Sequence, residues 1–355
     1  MRMVVDINHP AHVHFFKHFI RQMQEAGHAL MVTASEKDVA CDLLRAEGFA
    51  YTPLGRYGTS LWGKAVTLPV MDGRMVRAAR AFGPDVLLGV ASVRAAHAGF
   101  LLRRRSVIFD DTEHAKWEVR LYLPFADVVC TPACYRRSLG PKQVRYNGYH
   151  ELAYLHPSRF RPDPSVLEAL GAAEGERLAV VRFVSWGAVH DMGQHGFDPA
   201  SRRELVASLE RHARVLVVAE DALDPALEPY RCPLPPERLH DLLHYAAVYV
   251  GEGATMATEA ALLGTPSVYL SSLVGTMGNF EELRDDYHLV VATQSKREAI
   301  DEAVRLASDP GAKRTWAERR ARLLRDKIDV TQWMVDLVER TVPPPEEPAG
   351  ASNGC

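Results

Sequence analysis

Short apolar runs alternate with longer stretches in which apolar residues recur every three or four positions along the first 150 residues. The first run is Met3–Ile7, and the amphipathic stretch Val13–Glu25 follows it and ends at Gly27. Buried strands of a parallel sheet show the first pattern, and the helices that connect them show the second. We therefore predict a parallel sheet built from βαβ units. Its other strands are predicted at Ala29–Thr33, Phe49–Pro53, Pro84–Gly89, Ser106–Phe109, Ala126–Cys130 and Lys142–Tyr146, with helices at Ser35–Glu47, Leu61–Ala81 and Val93–Leu102.

The same alternation begins again at residue 178. It predicts an α/β fold with two Rossmann-like doubly wound domains, at residues 1–148 and 166–310. Ligands of such sheets bind outside the carboxyl ends of the strands, so we expect the two domains to face each other across one cleft. The second set of strands is predicted at Leu178–Val184, Val215–Ala219, Val248–Val250, Ser267–Leu270 and His288–Val291, with helices at Ala200–His212, Pro236–Tyr245, Thr255–Leu263 and Lys296–Ala307.

Three segments lie outside these domains. Residues 149–165 contain several prolines without a clear periodicity, which indicates an interdomain linker. Residues 311–340 form a helical segment that is basic in its first half, and it contains the long run Gly311–Glu339. The proline- and glutamate-rich tail at residues 341–355 is predicted to be disordered.

The length, net charge and composition of the chain exclude some classes of function. A chain of 355 residues is too long for one ordinary core, and its net charge of -3 gives no global attraction to nucleic acid. No signal peptide, membrane helix or ordered cysteine framework is visible, so we expect a cytoplasmic protein. If Arg103–Arg105 and the basic terminal helix share one side, they suit a peripheral contact with anionic lipid at the inner face of the membrane.

The stretch Tyr249–Leu270 carries the strongest chemical signal in the chain. Gly251 and Gly253 predict a tight turn between a buried strand and an alanine-rich helix. The amino end of such a helix directs unpaired N–H groups and the positive end of its dipole at a bound anion, typically phosphate. Glu259 lies one helical turn after Thr255, where its carboxylate could accept hydrogen bonds from the hydroxyls of a ribose. The alternative is an ordinary strand, turn and helix without a ligand.

The loop after the first strand contains three histidines. His12 is the preferred candidate for a general base, because it precedes the helix and imidazole is suited to proton abstraction near neutral pH. Asn8, His9 and His14 are predicted to lie with it on the acceptor side of the cleft. The alternatives are helix capping and packing, and a zinc site is disfavoured because the cluster is too short for three ligands to converge.

Two further loops follow strands and should therefore open at the same sheet edges. Asp111, Glu113 and His114 follow the fifth strand, where they could orient the base or bind acceptor hydroxyls. The alternative is that Asp111 or Thr112 only caps a helix. In the second domain, a phosphate site is predicted at Arg182, Ser185 and Gly187.

Several motifs resemble known families. The Tyr249–Leu270 stretch resembles the donor-site signature of glycosyltransferases with the GT-B architecture, especially MurG-like enzymes, and of UDP-N-acetylglucosamine 2-epimerases. Three other motifs are similar to those of the family known as domain of unknown function 354, and the similarity extends to about Val338. They are Asp6-x-Asn8-x-Pro10-x-His12-Val13-x-Phe15-Phe16, Asp111-Thr112-Glu113-His114 and Asn147-Gly148-Tyr149-x-Glu151-Leu152-x-Tyr154-Leu155.

The resemblance to MurG-like enzymes implies roles for individual residues. Gly253, Ala254 and Thr255 would approach the diphosphate of a nucleotide sugar, and Glu259 would hold its ribose. Ser185 with Gly187 resembles a glycine-rich phosphate loop whose preceding glycines are replaced here by Phe183 and Val184. The acidic Pro-Glu-Glu segment of the epimerases is absent from this sequence, which disfavours epimerisation.

The leading hypothesis is a metal-independent glycosyltransferase. It would move a sugar from a nucleoside-diphosphate donor, most simply a UDP-sugar, to a hydroxyl of a glycan or lipid-linked acceptor in cell-surface glycan synthesis. His12, Asp111 and Glu113 are its predicted catalytic residues, and it would need no cofactor, metal or nucleic acid. The alternatives are an epimerase-like enzyme that acts on the sugar nucleotide itself and a non-catalytic protein that binds nucleotide sugars.

Overall fold

The protein is described by a computed structural model over residues 1–36, 38–56, 61–184, 196–219 and 222–341. In these ranges no helix combines the length and apolar character needed to cross a membrane. The chain forms two parallel β-sheets flanked by helices. The first half contains β1 (Arg2–Ile7), α1 (Pro10–Glu25), β2 (Ala29–Ser35), α2 (Asp38–Ala46), β3 (Tyr51–Gly55), α3 (Leu61–Phe82), β4 (Val86–Val90), α4 (Val93–Leu102), β5 (Arg105–Phe109), α5 (Lys116–Tyr122), β6 (Val128–Pro132) and β7 (Gln143–Tyr146).

Two short helices, α6 (Leu152–Leu155) and α7 (Ser165–Ala169), connect this half to the second sheet. A single π-helical turn, Glu282–Asp286, follows α11 in the second half. The elements of that half are β8 (Leu178–Phe183), α8 (Pro199–Leu209), β9 (Arg214–Ala219), α9 (Leu239–Tyr245), β10 (Val248–Gly251), α10 (Ala254–Leu262), β11 (Ser267–Leu270), α11 (Gly278–Glu281), β12 (Val290–Thr293), α12 (Lys296–Ser308), α13 (Ala312–Asp326) and α14 (Val330–Thr341).

The strand order creates one switch point in each sheet, where the connections reverse their direction. The first sheet has the order β3-β2-β1-β4-β5-β6-β7, and the second has the order β12-β11-β10-β8-β9. The direction of the connections reverses between β1 and β4 and between β8 and β10, where a crevice opens at the carboxyl ends of the strands. The loops after β1, β5 and β10, which carry predicted site residues, follow the carboxyl ends of their strands, and β8 ends at the same edge as β10.

The predicted elements are largely confirmed, with ends that differ by a few residues. All twelve predicted strands are present and pair in parallel, because their central residues are apolar and buried on both faces. The long terminal run is two helices and not one, since Lys327 to Asp329 leave the helical path and Asp329 caps α14 by accepting the N–H of Gln332 at 3.1 Å. This break lets α14 return and pack on α1 in the first half.

The connection between the halves is also more ordered than its composition suggests. Within the predicted linker, all four side chains of α6 are buried, and α6 packs against both α1 and α14. This segment therefore is not a solvent-exposed tether, although the domain boundaries themselves stay a prediction. The predicted disordered tail lies outside the described residues, apart from Thr341, which ends α14.

A buried ion pair organises the carboxyl end of β1. The side chains of Asp6 and Arg94 are both fully buried, and Arg94 Nη2 lies 2.9 Å from Asp6 Oδ1. The same carboxylate accepts hydrogen bonds from Thr33 Oγ1 at 2.8 Å and from Ser92 Oγ at 2.5 Å. Arg94 also donates to the side chain of Asn8, so the pair fixes the loop that begins the predicted acceptor side.

We predict that replacing Arg94 with methionine lowers the free energy of unfolding by about 3–5 kcal/mol, because Asp6 is then left as an uncompensated buried charge. Urea denaturation followed by circular dichroism measures the change. The matched control is Arg203→Met, which removes a surface ion pair with Asp224 and should cost about 1 kcal/mol or less. Equal losses in the two variants would contradict the role given to the buried pair.

Candidate functional site

A cavity of about 130 Å³ lies where the two halves meet. Asp111 and His114, from the loop after β5, form part of one wall, and Ala254 and Thr255, from the start of α10, form part of the other. The structure thus brings together residues that the sequence assigned separately to the acceptor side and the donor side. The remaining lining residues are Thr112, Glu151, Thr258, Leu273, Met277, Asn279 and Phe280.

The amino end of α10 faces this cavity. Gly253 occupies the N-cap position, and no described side chain caps it. A Cβ atom at Gly251 would lie 2.5 Å from Tyr249 Oη and 2.8 Å from Arg182 Cβ, so only glycine allows this close turn. The first N–H groups of α10 and the positive end of its dipole are therefore directed at the cavity, which suits an anionic ligand.

Two polar atoms of residues that line the cavity are buried and have no hydrogen-bond partner among the described residues. They are Glu151 Oε2 and Thr258 Oγ1. Buried polar atoms are nearly always satisfied, so these two atoms are exceptions that lie in residues beside the cavity. Burial, together with the negative charges of Asp111 and Glu259, raises the pKa of Glu151 well above its ordinary value of 4.5. This shift favours the protonated form of Glu151, which can donate a hydrogen bond.

Asp111 is the ionisable neighbour of this acid. Its Oδ2 lies 3.2 Å from His150 Nδ1, and its side chain keeps about a fifth of its surface exposed. Burial lowers the pKa of His150, although the charge of Asp111 opposes the shift, so this imidazole is neutral near pH 7. His150 thus contacts the carboxyl of Asp111, a residue that also lines the cavity.

The sequence analysis does not predict that Glu151 lines the cavity or that His150 contacts Asp111. Both lie just after β7, at the same carboxyl edge of the first sheet as Asp111. The rule that ligands bind at this edge would have identified them. They were instead assigned to the linker because of the prolines that follow.

Glu113 has a different environment from Asp111. Its Oε2 accepts the N–H of Gly278 at 2.8 Å, and its Oε1 accepts the N–H of Arg136. A Cβ atom at Gly278 would overlap the carbonyl of Cys134, so the second half approaches the first very closely here. Because backbone donors occupy both carboxylate oxygens, the structure favours a structural role for Glu113 over the catalytic role predicted for it.

Glu259 lies on the packed side of α10. Its side chain is about 7% exposed, and its Oε1 accepts from Tyr154 Oη at 2.7 Å and lies 3.0 Å from His240 Nε2. The ring of His14 lies 4.8 Å from that of His240, and burial lowers the pKa of His14 well below its ordinary value. The structure therefore joins Glu259 and His14 in a buried polar cluster. The ribose role of Glu259 stays a prediction.

The other predicted acceptor residues surround the start of α1. His9 is the N-cap, since its Nδ1 accepts the N–H of Ala11 at 3.2 Å, which is the capping role left open by the sequence. His12 Nδ1 accepts the N–H of Asn8 at 3.4 Å. His12 does not line the cavity, and the imidazole that contacts Asp111 is that of His150. The role of His12 as a base stays a prediction.

The predicted phosphate loop after β8 is described only in part. Arg182 is half-buried and lies beside the turn of Gly251 and Gly253. Ser185 and Gly187 lie outside the described residues. The buried carboxylate of Glu252 accepts the N–H groups of Val184, at 2.9 Å, and Phe197, which flank the stretch 185–195. Val184 and Phe197 are thus both held next to the start of α10.

In the described ranges, no group of three or more histidine, cysteine, aspartate or glutamate side chains is placed to hold a metal ion. The polar lining of the cavity consists instead of helix N–H groups, the hydroxyls of three threonines, two carboxyls, an imidazole and an amide. Such a set can bind an anion on one side and hydroxyl groups on the other.

Two doubly wound halves that face each other across a cleft define the GT-B architecture. The chain belongs to the family described as "Protein of unknown function (DUF354)", whose model matches residues 1–342. This confirms the family that the sequence motifs indicated. An uncharacterised protein of Methanocaldococcus jannaschii, MJ0665, is 23% identical over 287 residues, which cover 76% of this chain and 82% of that protein.

Solved structures share the fold at low sequence identity. A UDP-GlcNAc 2-epimerase from Neisseria meningitidis, bound to UDP-GlcNAc, matches with a TM-score of 0.64 and 12% identity over 96% of this chain and all of that one. The glycosyltransferase VinC, in complex with DTDP, matches with a TM-score of 0.62 and 13% identity over 96% of this chain and 99% of that one. At these identities the similarity establishes the architecture alone.

We predict that Glu151→Gln stabilises the protein in a pH-dependent way. A raised pKa in the folded state stabilises the fold fully below the unfolded value near 4.5, and this contribution is lost as the pH rises towards the folded pKa. Glutamine keeps the shape and a donor but cannot ionise. The variant should therefore match the wild type at pH 4.5 and melt at a higher temperature at pH 8. Thermal unfolding at both pH values measures this, with the exposed Glu237→Gln as control. An equal difference at both pH values would refute the assignment.

Proposed function

We propose that the protein is an enzyme that acts on a nucleoside-diphosphate sugar and transfers the sugar to a hydroxyl acceptor. The observation that carries this proposal is the uncapped amino end of α10, which faces a cavity shared with the acidic group of Asp111 and Glu151. An anion site and groups suited to sugar hydroxyls thus lie on opposite walls of one small space. Solved structures with this architecture contain UDP-GlcNAc and DTDP, which supports a ligand of this class.

In this proposal the diphosphate binds at the turn before α10. The N–H groups of Ala254 and Thr255 and the guanidinium of Arg182 hold its negative charge, so that the charge is stabilised without a metal ion. The hydroxyl of Thr258 and the neutral carboxyl of Glu151 bind the hydroxyl groups of the sugar. Ser185 and Gly187 are proposed to complete the phosphate site.

The transfer step needs a base on the acceptor side. We propose Asp111 for this role, because it lines the cavity and His150 fixes its carboxylate. The acceptor oxygen forms a bond to the anomeric carbon while the bond from that carbon to the diphosphate oxygen breaks. The acceptor proton passes to Asp111, and the diphosphate leaves with the bonding electron pair towards the N–H groups of α10. His12 is retained as the alternative base.

One observation favours a second candidate function. A neutral carboxyl, Glu151, and a carboxylate held by His150, Asp111, line the same cavity, and such a pair can move a proton onto and off a sugar carbon. An enzyme of this kind would convert the sugar nucleotide into an isomer without any acceptor. Incubation with a panel of UDP-sugars, with and without added glycan acceptors, separates the two functions. Release of UDP that requires an acceptor supports transfer, and an isomer formed without one supports epimerisation.

We predict that Ala254→Asp weakens nucleotide binding but preserves the fold. A carboxylate in the first turn is favourable for the helix dipole, yet it would repel a bound diphosphate. The affinity for UDP should fall by at least about tenfold, a change that corresponds to roughly 1.4 kcal/mol. The measurement is the rise in melting temperature with UDP. Ala200→Asp, the same change in the first turn of α8, should bind UDP like the wild type. Normal binding by Ala254→Asp would overturn the donor site.

We predict that Asp111→Asn lowers kcat by about 10²–10⁴-fold and leaves the affinity for UDP unchanged, because the amide cannot accept the proton. Turnover of the active UDP-sugar, found with the panel above, gives the rate, and the UDP-induced shift in melting temperature gives the affinity. His12→Gln, measured in parallel, tests the alternative base. A normal rate in Asp111→Asn together with an inactive His12→Gln would assign the base to the histidine.

A further inference from the structure

The α4–α5 face, defined by the exposed side chains of Phe100, Leu101, Trp117, Leu121 and Phe125, is the most apolar part of the described surface. Trp117 is 72% exposed and Leu101 is 62% exposed. Seven large apolar side chains are exposed in the described ranges, and five of them lie on this face. Single exposed apolar residues are ordinary, but such a cluster marks an interaction surface.

The α4–α5 face is rigidly built. The rings of Phe100 and Phe125 lie 5.3 Å apart, and the ring of His97 lies 4.6 Å from that of Phe125. His97 Nε2 is 3.1 Å from the carbonyl oxygen of Leu121, which ties α4 to α5. The buried ring of Tyr122 lies in the core beneath. The exposed side chains therefore stand on packed helices and not on a frayed end.

Basic residues surround the apolar cluster. Arg103, Arg104 and Arg105 are exposed at the end of α4, and Lys116 and Arg120 are exposed on α5. The guanidinium of Arg120 lies 4.8 Å from the centre of the Trp117 ring.

The carboxylates in the same region offset only part of this charge. Asp127 lies 3.7 Å from Arg105, and Asp72 lies 2.7 Å from His97. Glu118 is the one carboxylate on α5, and it is exposed. The rim of the α4–α5 face therefore keeps an excess of positive charge.

We propose that the α4–α5 face binds the surface of an anionic lipid bilayer. Tryptophan, phenylalanine and leucine side chains insert into the boundary between headgroups and acyl chains, and the arginines pair with lipid phosphates. A second copy of the chain fits less well, because a symmetric contact through this face would bring the same basic rims together. The proposal does not rest on the reaction that the cavity catalyses.

Three cations of the basic terminal helix, which the sequence suggested for a lipid contact, have protein partners, and the role of this helix at a membrane stays a prediction. On α13, Lys313 Nζ donates to the carbonyls of His244, at 2.5 Å, and Ala246, at 3.0 Å. Arg319 donates to the carbonyl of His288 at 2.6 Å, and Arg320 donates to that of Leu262. Burial also lowers the pKa of Lys313 to about 7. These cations bind the ends of neighbouring elements in the second half.

The test is flotation of the full chain with vesicles of phosphatidylcholine alone or with 30% phosphatidylglycerol. The wild type should float with the anionic vesicles and remain unbound with the neutral ones, and 1 M NaCl should weaken binding. Trp117→Ser/Leu121→Ser and, separately, Arg103→Glu/Arg104→Glu should each lower binding by about tenfold or more. The controls are Val39→Ser, an exposed apolar residue on α2, and Arg211→Glu/Arg297→Glu, which changes the net charge equally.

Circular dichroism melting verifies that each variant is folded. Loss of binding in the two face variants, with normal binding in both controls, supports the proposal. Failure of the wild type to float with anionic vesicles overturns it, and so does equal loss in the charge control. Sedimentation velocity tests whether a second copy of the chain binds to the α4–α5 face. A dimer that Trp117→Ser/Leu121→Ser dissociates, without vesicle binding, would assign the face to self-association and overturn the lipid assignment.

Discussion

Buried carboxylates hold the two halves of this protein together with their strand ends facing each other. Glu113 accepts a backbone N–H group of the second half, and Glu259 accepts the hydroxyl of Tyr154, which follows the first sheet. Glu282 binds both Tyr149 Oη, at 2.5 Å, and Lys327 Nζ, at 2.6 Å. Burying any of these groups without its partner would cost several kcal/mol of folding free energy. The placement of the two halves that gives each of these groups its partner is therefore favoured. The same placement forms the cavity.

The cavity differs from the contacts between the halves described above, in which the carboxylates have hydrogen-bond partners. Glu151 and Thr258 keep buried polar atoms without a protein partner, and the start of α10 has no described cap. Unsatisfied groups cost stability, and these two atoms belong to residues that line one cavity. Burial and the neighbouring charge of Asp111 favour the protonated form of Glu151, which can donate a hydrogen bond.

The proposed lipid surface and the cavity are connected through one loop. His114 lines the cavity, and α5, which carries Trp117 and Leu121, begins two residues later. A bilayer that contacts α5 would therefore lie close to the acceptor side of the cleft. If the proposed transfer takes place, this geometry suits an acceptor whose hydroxyl is presented at a membrane surface. The turn proposed to bind the donor, before α10, belongs to the second half.

The sequence by itself determined the elements, their parallel order and the turn before α10, because hydrophobic periodicity and glycine spacing act locally along the chain. It also indicated Asp111 and Ala254 as site residues, since carboxyl ends of parallel strands share one edge. Only the tertiary structure determined the environment of each carboxyl group at this edge of the sheet. Asp111 lines a cavity, Glu113 joins the halves, and Glu151, which lies in the predicted linker, has a raised pKa because it is buried. Burial and hydrogen-bond partners set these roles, and both come from residues that are distant in the chain and meet only on folding.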